Sequence, residues 1–229
     1  MHQLKTFRVK HKIIGDNHPC FIVAEMSCNH KQYINRAFKI IDAAKEVGVD
    51  AVKLQTYTPD TLTIESEKKW FKIGGNNTWA GKTLHDLYQT TYTPWEWHSS
   101  LIKYGEKRGL IVFSTPFDVK AVDFLEKLNL ELYKISSFEN NDPELLRRIG
   151  KTKKPVIMSR GLTSLADIHL AIKTLRDSGT EALAILHCIS SYPAQTEQMN
   201  LATIPDIKRR FKVVPGLSDH SLGPISSIT

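Results

Sequence analysis

Seven short apolar, β-branched runs recur along the chain, and between most of them the apolar residues fall at helical spacing. The runs are Phe21-Ile22-Val23-Ala24, Ala51-Val52-Lys53-Leu54, Ile111-Val112-Phe113, Leu132-Tyr133-Lys134-Ile135, Pro155-Val156-Ile157-Met158, Leu183-Ala184-Ile185-Leu186 and Val213-Val214-Pro215-Gly216-Leu217. Ile34, Ala37, Phe38, Ile41 and Ala44 share a helical face before Gly48, as do Ile168, Ile172 and Leu175 before Gly179, and Ile204, Ile207 and Phe211 before the seventh run. Asp142-Pro143 supplies a helix cap followed by proline in the first turn. Parallel neighbours need a crossover of a dozen or more residues, so this alternation predicts a parallel sheet. Without a nucleotide-binding glycine fingerprint, it favours a (β/α)8 TIM-type barrel over a doubly wound sheet, here incomplete with about seven strands over residues 20–229. Residues 1–19 read as an N-terminal β-hairpin outside the barrel, with Phe7-Arg8-Val9 and Ile13-Ile14 as strands and Gly15-Asp16-Asn17 as a turn.

Several classes are excluded or made remote. No run reaches the roughly 18 apolar residues of a membrane span, and Met1 to Thr6 lacks the apolar core of a signal peptide, so a cytoplasmic chain without a membrane partner is expected. Cys20, Cys28 and Cys188 have no CxxC spacing and read as reduced thiols. The net charge of +7 resides in clusters such as Lys10-His11-Lys12, Arg147-Arg148, Lys151 to Lys154 and Lys208-Arg209-Arg210. None is interleaved with aromatics, so they read as solvated faces, and no nucleic-acid partner is expected.

Barrel enzymes build their sites at the C-terminal strand ends, which makes the polar residues closing each run the candidates. These are Glu25, then Lys53 with Gln55, Ser114-Thr115, Lys134 with Ser136-Ser137 and Glu139, Ser159-Arg160-Gly161, His187 through Tyr192, and Ser218-Asp219-His220. Lys53 and Lys134 each share a strand face with the polar residue two further on; if those faces point inward, two ammonium groups meet beside Thr115, Ser137 and Ser218, a set suited to a phosphate or carboxylate. The plainer reading sends either lysine outward to solvent. His187 reads as a hydrogen-bonded core histidine. His220 beside Asp219 reads as a metal ligand oriented by a carboxylate, and Glu25 as either a lysine partner or a catalytic carboxylate. Almost forty residues separate Gln55 from the helix near Pro94, a length typical of functional lids or disordered insertions.

Together, Phe21-Ile22-Val23-Ala24-Glu25 with Asn29-His30, Val52-Lys53-Leu54-Gln55, Ser114-Thr115-Pro116-Phe117, Tyr133-Lys134-Ile135, Leu186-His187-Cys188 through Tyr192-Pro193, and Gly216-Leu217-Ser218-Asp219-His220 resemble the N-acetylneuraminate (sialic acid) synthase family. The segments Gln55 to Asp60, Gly74 to Trp79, Thr93 to His98, Ser137 to Glu139 and Met199 to Leu201 look most like its pseudaminic acid synthase branch. The resemblance implies a transferase that condenses phosphoenolpyruvate with an open-chain N-acetylated amino sugar, giving a nine-carbon 2-keto acid for surface glycans. It further implies a divalent metal, Mn or Mg, and a homodimer for the full-length protein. By the same resemblance, phosphoenolpyruvate falls to Lys53, Thr115, Lys134, Ser137, Ser190 and Ser218, with Glu25 near the reacting carbon. His220 matches one of two metal-binding histidines, and Phe117, Glu139, Tyr192 and Asn76 match acceptor-sugar positions.

Three departures from the family pattern stand out. The residues run only just past the seventh strand, so the Glu-x-His of an eighth strand and an antifreeze-like C-terminal domain are expected to be lacking. Ser159-Arg160-Gly161 replaces the common Ser-Thr-Gly. The loop after His30 lacks its usual glycine. Two alternatives compete with the synthase: a Schiff-base aldolase using Lys53 or Lys134, and a non-catalytic fragment.

Overall fold

The computed structural model describes residues 6–75 and 79–228, in two compact units: Ile22–Leu128, and the residues up to Phe21 together with those from Asn129. The N-terminal hairpin is present. Its strands β1 (Phe7–Val9) and β2 (Lys12–Ile14) pair antiparallel with Val9 opposite Lys12, and Lys10 takes a left-handed φ of 50° in the two-residue reversal. Gly15 to His18 form a second turn after β2, where Gly15 adopts φ 134°.

Within Ile22–Leu128, chain order is β3 (Val23–Glu25), α1 (Ile34–Glu46), β4 (Ala51–Thr56), α2 (Pro59–Leu62), α3 (Leu84–Thr91), α4 (His98–Lys107), β5 (Ile111–Pro116) and α5 (Val119–Lys127). The three strands form a parallel ladder that sets Glu25 opposite Lys53 and Gln55 opposite Thr115. Helix α1 buries Ala37, Ile41 and Ala44, the stripe its periodicity predicts, and Gly48 at φ 81° closes it by donating to the Lys45 carbonyl. The first strand starts at Val23 rather than Phe21, leaving Ile22 half exposed. The strands also run further than their apolar cores. Ser114 and Thr115 lie inside β5 and are buried, so this strand carries hydroxyls at its C-terminal end.

The long connection after β4 is ordered by its own hydrogen bonds. It contains α2, a 3-10 turn at Lys69–Phe71, and α3, whose Thr83–Asp86 capping box satisfies the first turn. His85 Nε2 reaches Asp60 Oδ1 at 3.0 Å, tying α3 to α2. The helical segments break a stretch that the sequence presents as one loop.

The other unit continues with β6 (Tyr133–Ile135), α6 (Pro143–Gly150), β7 (Val156–Arg160), α7 (Leu165–Asp177), β8 (Leu183–Cys188), α8 (Thr203–Phe211), β9 (Val214–Ser218) and α9 (Ile225–Ile228). Strands β6 to β9 are parallel, with Lys134 opposite Ile157, Arg160 opposite His187, and Cys188 opposite Ser218. Asp142 caps α6 by accepting from the Glu144 and Leu145 amides, as Asp142-Pro143 predicts. Leu145, Leu146 and Ile149 of α6, and Ile168, Ile172 and Leu175 of α7, are buried; each such side chain contributes about 1.5–3 kcal/mol. The basic clusters stay half-buried or exposed, consistent with solvated faces. No helix among the described residues is long and apolar enough to cross a membrane.

Candidate active site

In the unit Ile22–Leu128, the strand ladder delivers three of the expected residues to one another. Glu25 ends β3 directly across from Lys53, and its Oε2 forms an ion pair with Lys53 Nζ. Its other oxygen accepts from the Ser27 amide at 2.9 Å, and Ser27 holds a left-handed φ of 47° to present that N–H. Lys53 Nζ also donates to Thr115 Oγ1 at 3.4 Å, so the lysine follows the polar face instead of turning to solvent; its side chain is 14% exposed. Phe117, just past β5, meets Tyr57 edge to face at 5.3 Å. Burial pushes the Tyr57 phenol up to about 12, although Thr91 bonds its hydroxyl.

Behind this face lies a buried polar chain that strand patterning does not reveal. Thr56 Oγ1 bonds both His98 Nε2 at 2.8 Å and Ser114 Oγ at 2.6 Å, linking β4, β5 and α4. Burial pulls His98 down to about 4, so the ring is neutral at pH 7. His30 is likewise buried, bonded through Nε2 to Thr93 Oγ1 at 3.0 Å, and held below its ordinary value by that burial. It anchors the loop after β3 and does not act as a free base.

The other unit assembles a second group. Lys134 is 5% exposed, and its Nζ donates to Ser159 Oγ at 2.6 Å and the Ile135 carbonyl at 2.8 Å. Ser137 Oγ donates to Cys188 Sγ at 3.2 Å, Ser190 Oγ lies 3.7 Å from the same sulfur, and Ser218 is the register partner of Cys188. Two expected hydroxyls thus flank a reduced thiol, and Ser218 stands opposite it in register. Burial alone would push that thiol up, but hydrogen bonds from His220, Ser137 and Ser190 outweigh it and bring Cys188 to about 7. Gly161 makes room for the cluster, since a Cβ there would stand 2.9 Å from Ser137 Oγ and closer still to Ser190 Oγ.

His220 is oriented differently from the expectation. Its Nδ1 faces the Ile189 carbonyl at 2.9 Å, which assigns the proton to Nδ1 and leaves Nε2 as the acceptor, where the Tyr192 hydroxyl sits at 3.2 Å. The Tyr192 ring packs on the imidazole at 4.2 Å. Asp219 is not the orienting carboxylate. It accepts from the Ser221 amide at 2.8 Å, from Ser221 Oγ and from Ser227 Oγ, because an aspartate bonds readily to the backbone two residues on. His187 is the core histidine expected, 2% exposed with Nε2 donating to Met199 O at 2.5 Å.

Glu139 follows β6 with Oε2 buried and without a partner, and burial pushes its carboxyl up to about 7. Neighbouring Asn140 was not anticipated; it is buried, and its amide donates to Ser159 O and Thr163 Oγ1. Asn76 lies outside the described residues. Among the described residues no three His, Cys, Asp or Glu side chains cluster as metal ligands, and His220 Nε2 is one imidazole where a catalytic site typically uses three protein ligands. That donor set does not by itself fit a divalent ion.

Comparison with known proteins decides the family. Residues 40–229 match the NeuB family. The chain belongs to the NeuB family. It is 41% identical over 208 residues to the pseudaminic acid synthase of Campylobacter jejuni, covering 91% of this chain and 60% of that protein. It is 40% identical over 210 residues to the pseudaminic acid synthase of Helicobacter pylori, covering 92% and 62%. The chain thus spans about 60% of the length of these curated relatives. The crystal structure of N-acetylneuraminic acid synthetase from Leptospira borgpetersenii superimposes with a TM-score of 0.86 at 28% identity, covering 97% of this chain and 73% of that one. The seven parallel strands and their helices therefore follow the TIM-type fold of the sialic acid synthases, as the strand–helix alternation predicts. A truncated 3-deoxy-D-arabino-heptulosonate 7-phosphate synthase from Thermotoga maritima shares the fold at a TM-score of 0.66 and 14% identity.

Proposed function

We propose that this NeuB-family chain carries the phosphoenolpyruvate-binding and condensing machinery of a pseudaminic acid synthase-like enzyme. In this reading the acceptor is the open-chain form of an N-acetylated amino sugar. The observation that carries it is buried Lys134 together with the hydroxyl residues Ser137, Ser190 and Ser218 at the ends of β6, β8 and β9 in one unit. Lys53 and Thr115 in the other unit offer the same chemistry. A cation plus directional hydroxyl donors is what a ligand bearing both phosphate and carboxylate requires.

The proposed reaction joins C3 of phosphoenolpyruvate to the aldehyde carbon, adds water at C2, and expels phosphate to leave the 2-keto acid. Glu25, paired with Lys53 and accepting from the Ser27 amide, would stabilise positive charge at C2 or take the proton of the attacking water. Glu139, with a carboxyl near 7, would donate a hydrogen bond to the acceptor while protonated. Phe117, Tyr192 and Asn76 complete the acceptor contacts in this proposal. The divalent metal, a cytoplasmic location and a homodimer belong to the same proposal; among the described residues His220 is the one imidazole assigned to the metal.

Binding of phosphoenolpyruvate, followed by calorimetry, and phosphate release in the presence of a 2,4-diacetamido-2,4,6-trideoxy sugar and manganese test the reading. Absence of binding would overturn it. The Schiff-base aldolase reading is disfavoured by the contacts that engage both lysines: Lys53 is ion-paired to Glu25, and Lys134 donates to a carbonyl and a hydroxyl. A stable lysine adduct after borohydride treatment with a keto acid would reverse that judgement.

A further inference from the structure

We propose that Arg160, the last residue of β7, is the cationic centre of a second site for a small oxyanion, in the open cleft of about 500 Å³ lined by β7, β8 and the start of α8. The argument begins with buried His187. Its Nε2–H is committed to Met199 O at 2.5 Å, so its Nδ1 carries the lone pair and faces Arg160 NH1 at 3.5 Å. Burial, and secondarily the adjacent guanidinium, keep the ring neutral and therefore able to accept. The histidine thus orients the guanidinium at the mouth of the cleft.

That charge has no carboxylate partner among the described residues, and Arg160 Nε is buried without an acceptor. Buried or half-buried arginines are ordinarily paired, so an uncompensated one beside a cleft points to an anion supplied from outside. Asp206 also lines the cleft, but its carboxylate is taken by Arg209 and Arg210 and does not answer Arg160. Thr203 adds a hydroxyl that makes no other hydrogen bond among the described residues. The planar guanidinium fork matches the two oxygens of a phosphate or carboxylate. Gly161 borders both this cleft and the Ser137–Ser190 hydroxyls, so the anion would sit beside the proposed phosphoenolpyruvate contacts without sharing Lys134.

The assignment stands apart from the phosphoenolpyruvate reading, and its test separates the two. The ¹⁵N-labelled chain is titrated with inorganic phosphate and, separately, with acetate, following the amide signals of Gly161, Asn200 and Thr203. Saturable shifts at these amides are expected with at least one probe, and the probe that produces them tells phosphate from carboxylate. Arg160→Gln should weaken that binding about tenfold or more, since a hydrogen bond to a charged group contributes about 1.5–3 kcal/mol. Arg160→Lys, which keeps the charge and loses the fork, should fall between. Lys134→Met, which disables the phosphoenolpyruvate contacts, should leave these shifts in place. No saturable shift with either probe, or wild-type affinity in a folded Arg160→Gln chain, would overturn the proposal.

Discussion

Gly161→Ala tests the hydroxyl cluster with a single methyl group. The added Cβ would stand 2.9 Å from Ser137 Oγ and 3.0 Å from Ser137 Cβ, with Ser190 Oγ nearer than either. Ser190 can swing its hydroxyl away, but the Ser137 Cβ is bonded to the backbone and moves only with the chain after β6. Overpacking of this kind costs about 1–3 kcal/mol. Gly161 has no left-handed φ, so alanine also stabilises by about 0.4–1 kcal/mol through the unfolded chain, leaving a net loss of about 1–2 kcal/mol. Phosphoenolpyruvate affinity should suffer more, because a displaced hydroxyl forfeits a hydrogen bond to an anion, about tenfold to hundredfold in affinity. Urea unfolding and calorimetric titration measure the two effects. Adding Ser190→Ala removes the nearest clashing atom, so the double variant should recover about 1 kcal/mol of stability while its affinity stays low. Wild-type affinity in Gly161→Ala would show that these hydroxyls do not contact the ligand and would refute the reasoning.

Lys134→Met should weaken phosphoenolpyruvate binding by about tenfold or more, whereas Lys151→Met, on an exposed turn, should not change it; calorimetry on both decides, and equal affinities would remove Lys134 from the site. Glu139 has a carboxyl raised from 4.5 to about 7 by burial, so the folded chain holds an extra proton between those values and stability should decline as pH rises through that window. Glu139→Gln should flatten that slope by about 1–3 kcal/mol between pH 5 and 8 in urea titrations, and an unchanged slope would show that Glu139 does not cause it. Thr56→Val strands His98 Nε2 and Ser114 Oγ in a dry interior and should cost about 2–4 kcal/mol; a loss below about 0.5 kcal/mol would mean that the chain of three is replaced by other partners.

What was legible in the sequence divides along a physical line. Strand–helix alternation depends on local periodicity, so the parallel strands, the Asp142 cap and the buried faces of α1 and α7 were all readable from it. The strand-end residues were readable because pairing register carries Glu25 to Lys53, and Cys188 to Ser218. Contacts between distant elements were not. Nothing in the local pattern around Thr56 signals His98, forty-two positions on, and nothing near Cys188 signals Ser137, fifty-one positions back. Asp219 misled in the opposite way: adjacency in sequence suggested a pair with His220, but backbone geometry favours the aspartate bonding forward to Ser221, while Ile189 orients the imidazole. In the long connection after β4, short helices joined by side-chain bonds such as His85–Asp60 fall below the length at which periodicity is visible.

The buried polar atoms left without partners are distributed unevenly. Of the four among the described residues, Glu139 Oε2, Asn140 Oδ1 and Arg160 Nε belong to residues at the ends of β6 and β7, and only Thr180 Oγ1 lies elsewhere. Each such atom costs about 1–3 kcal/mol, a large share of a domain's net stability of about 5–15 kcal/mol. Folding gives a reason for Asn140, whose amide donates to Ser159 O and Thr163 Oγ1, but none for leaving Glu139 Oε2 and Arg160 Nε without partners. A bound partner does give one. An acceptor hydroxyl would take the hydrogen bond of a Glu139 carboxyl raised to about 7, and a separate oxyanion in the cleft beside β7 would answer Arg160. On this proposal, stability gained on adding ligand should fall when Glu139 or Arg160 is made apolar, and an unchanged gain in both variants would refute it.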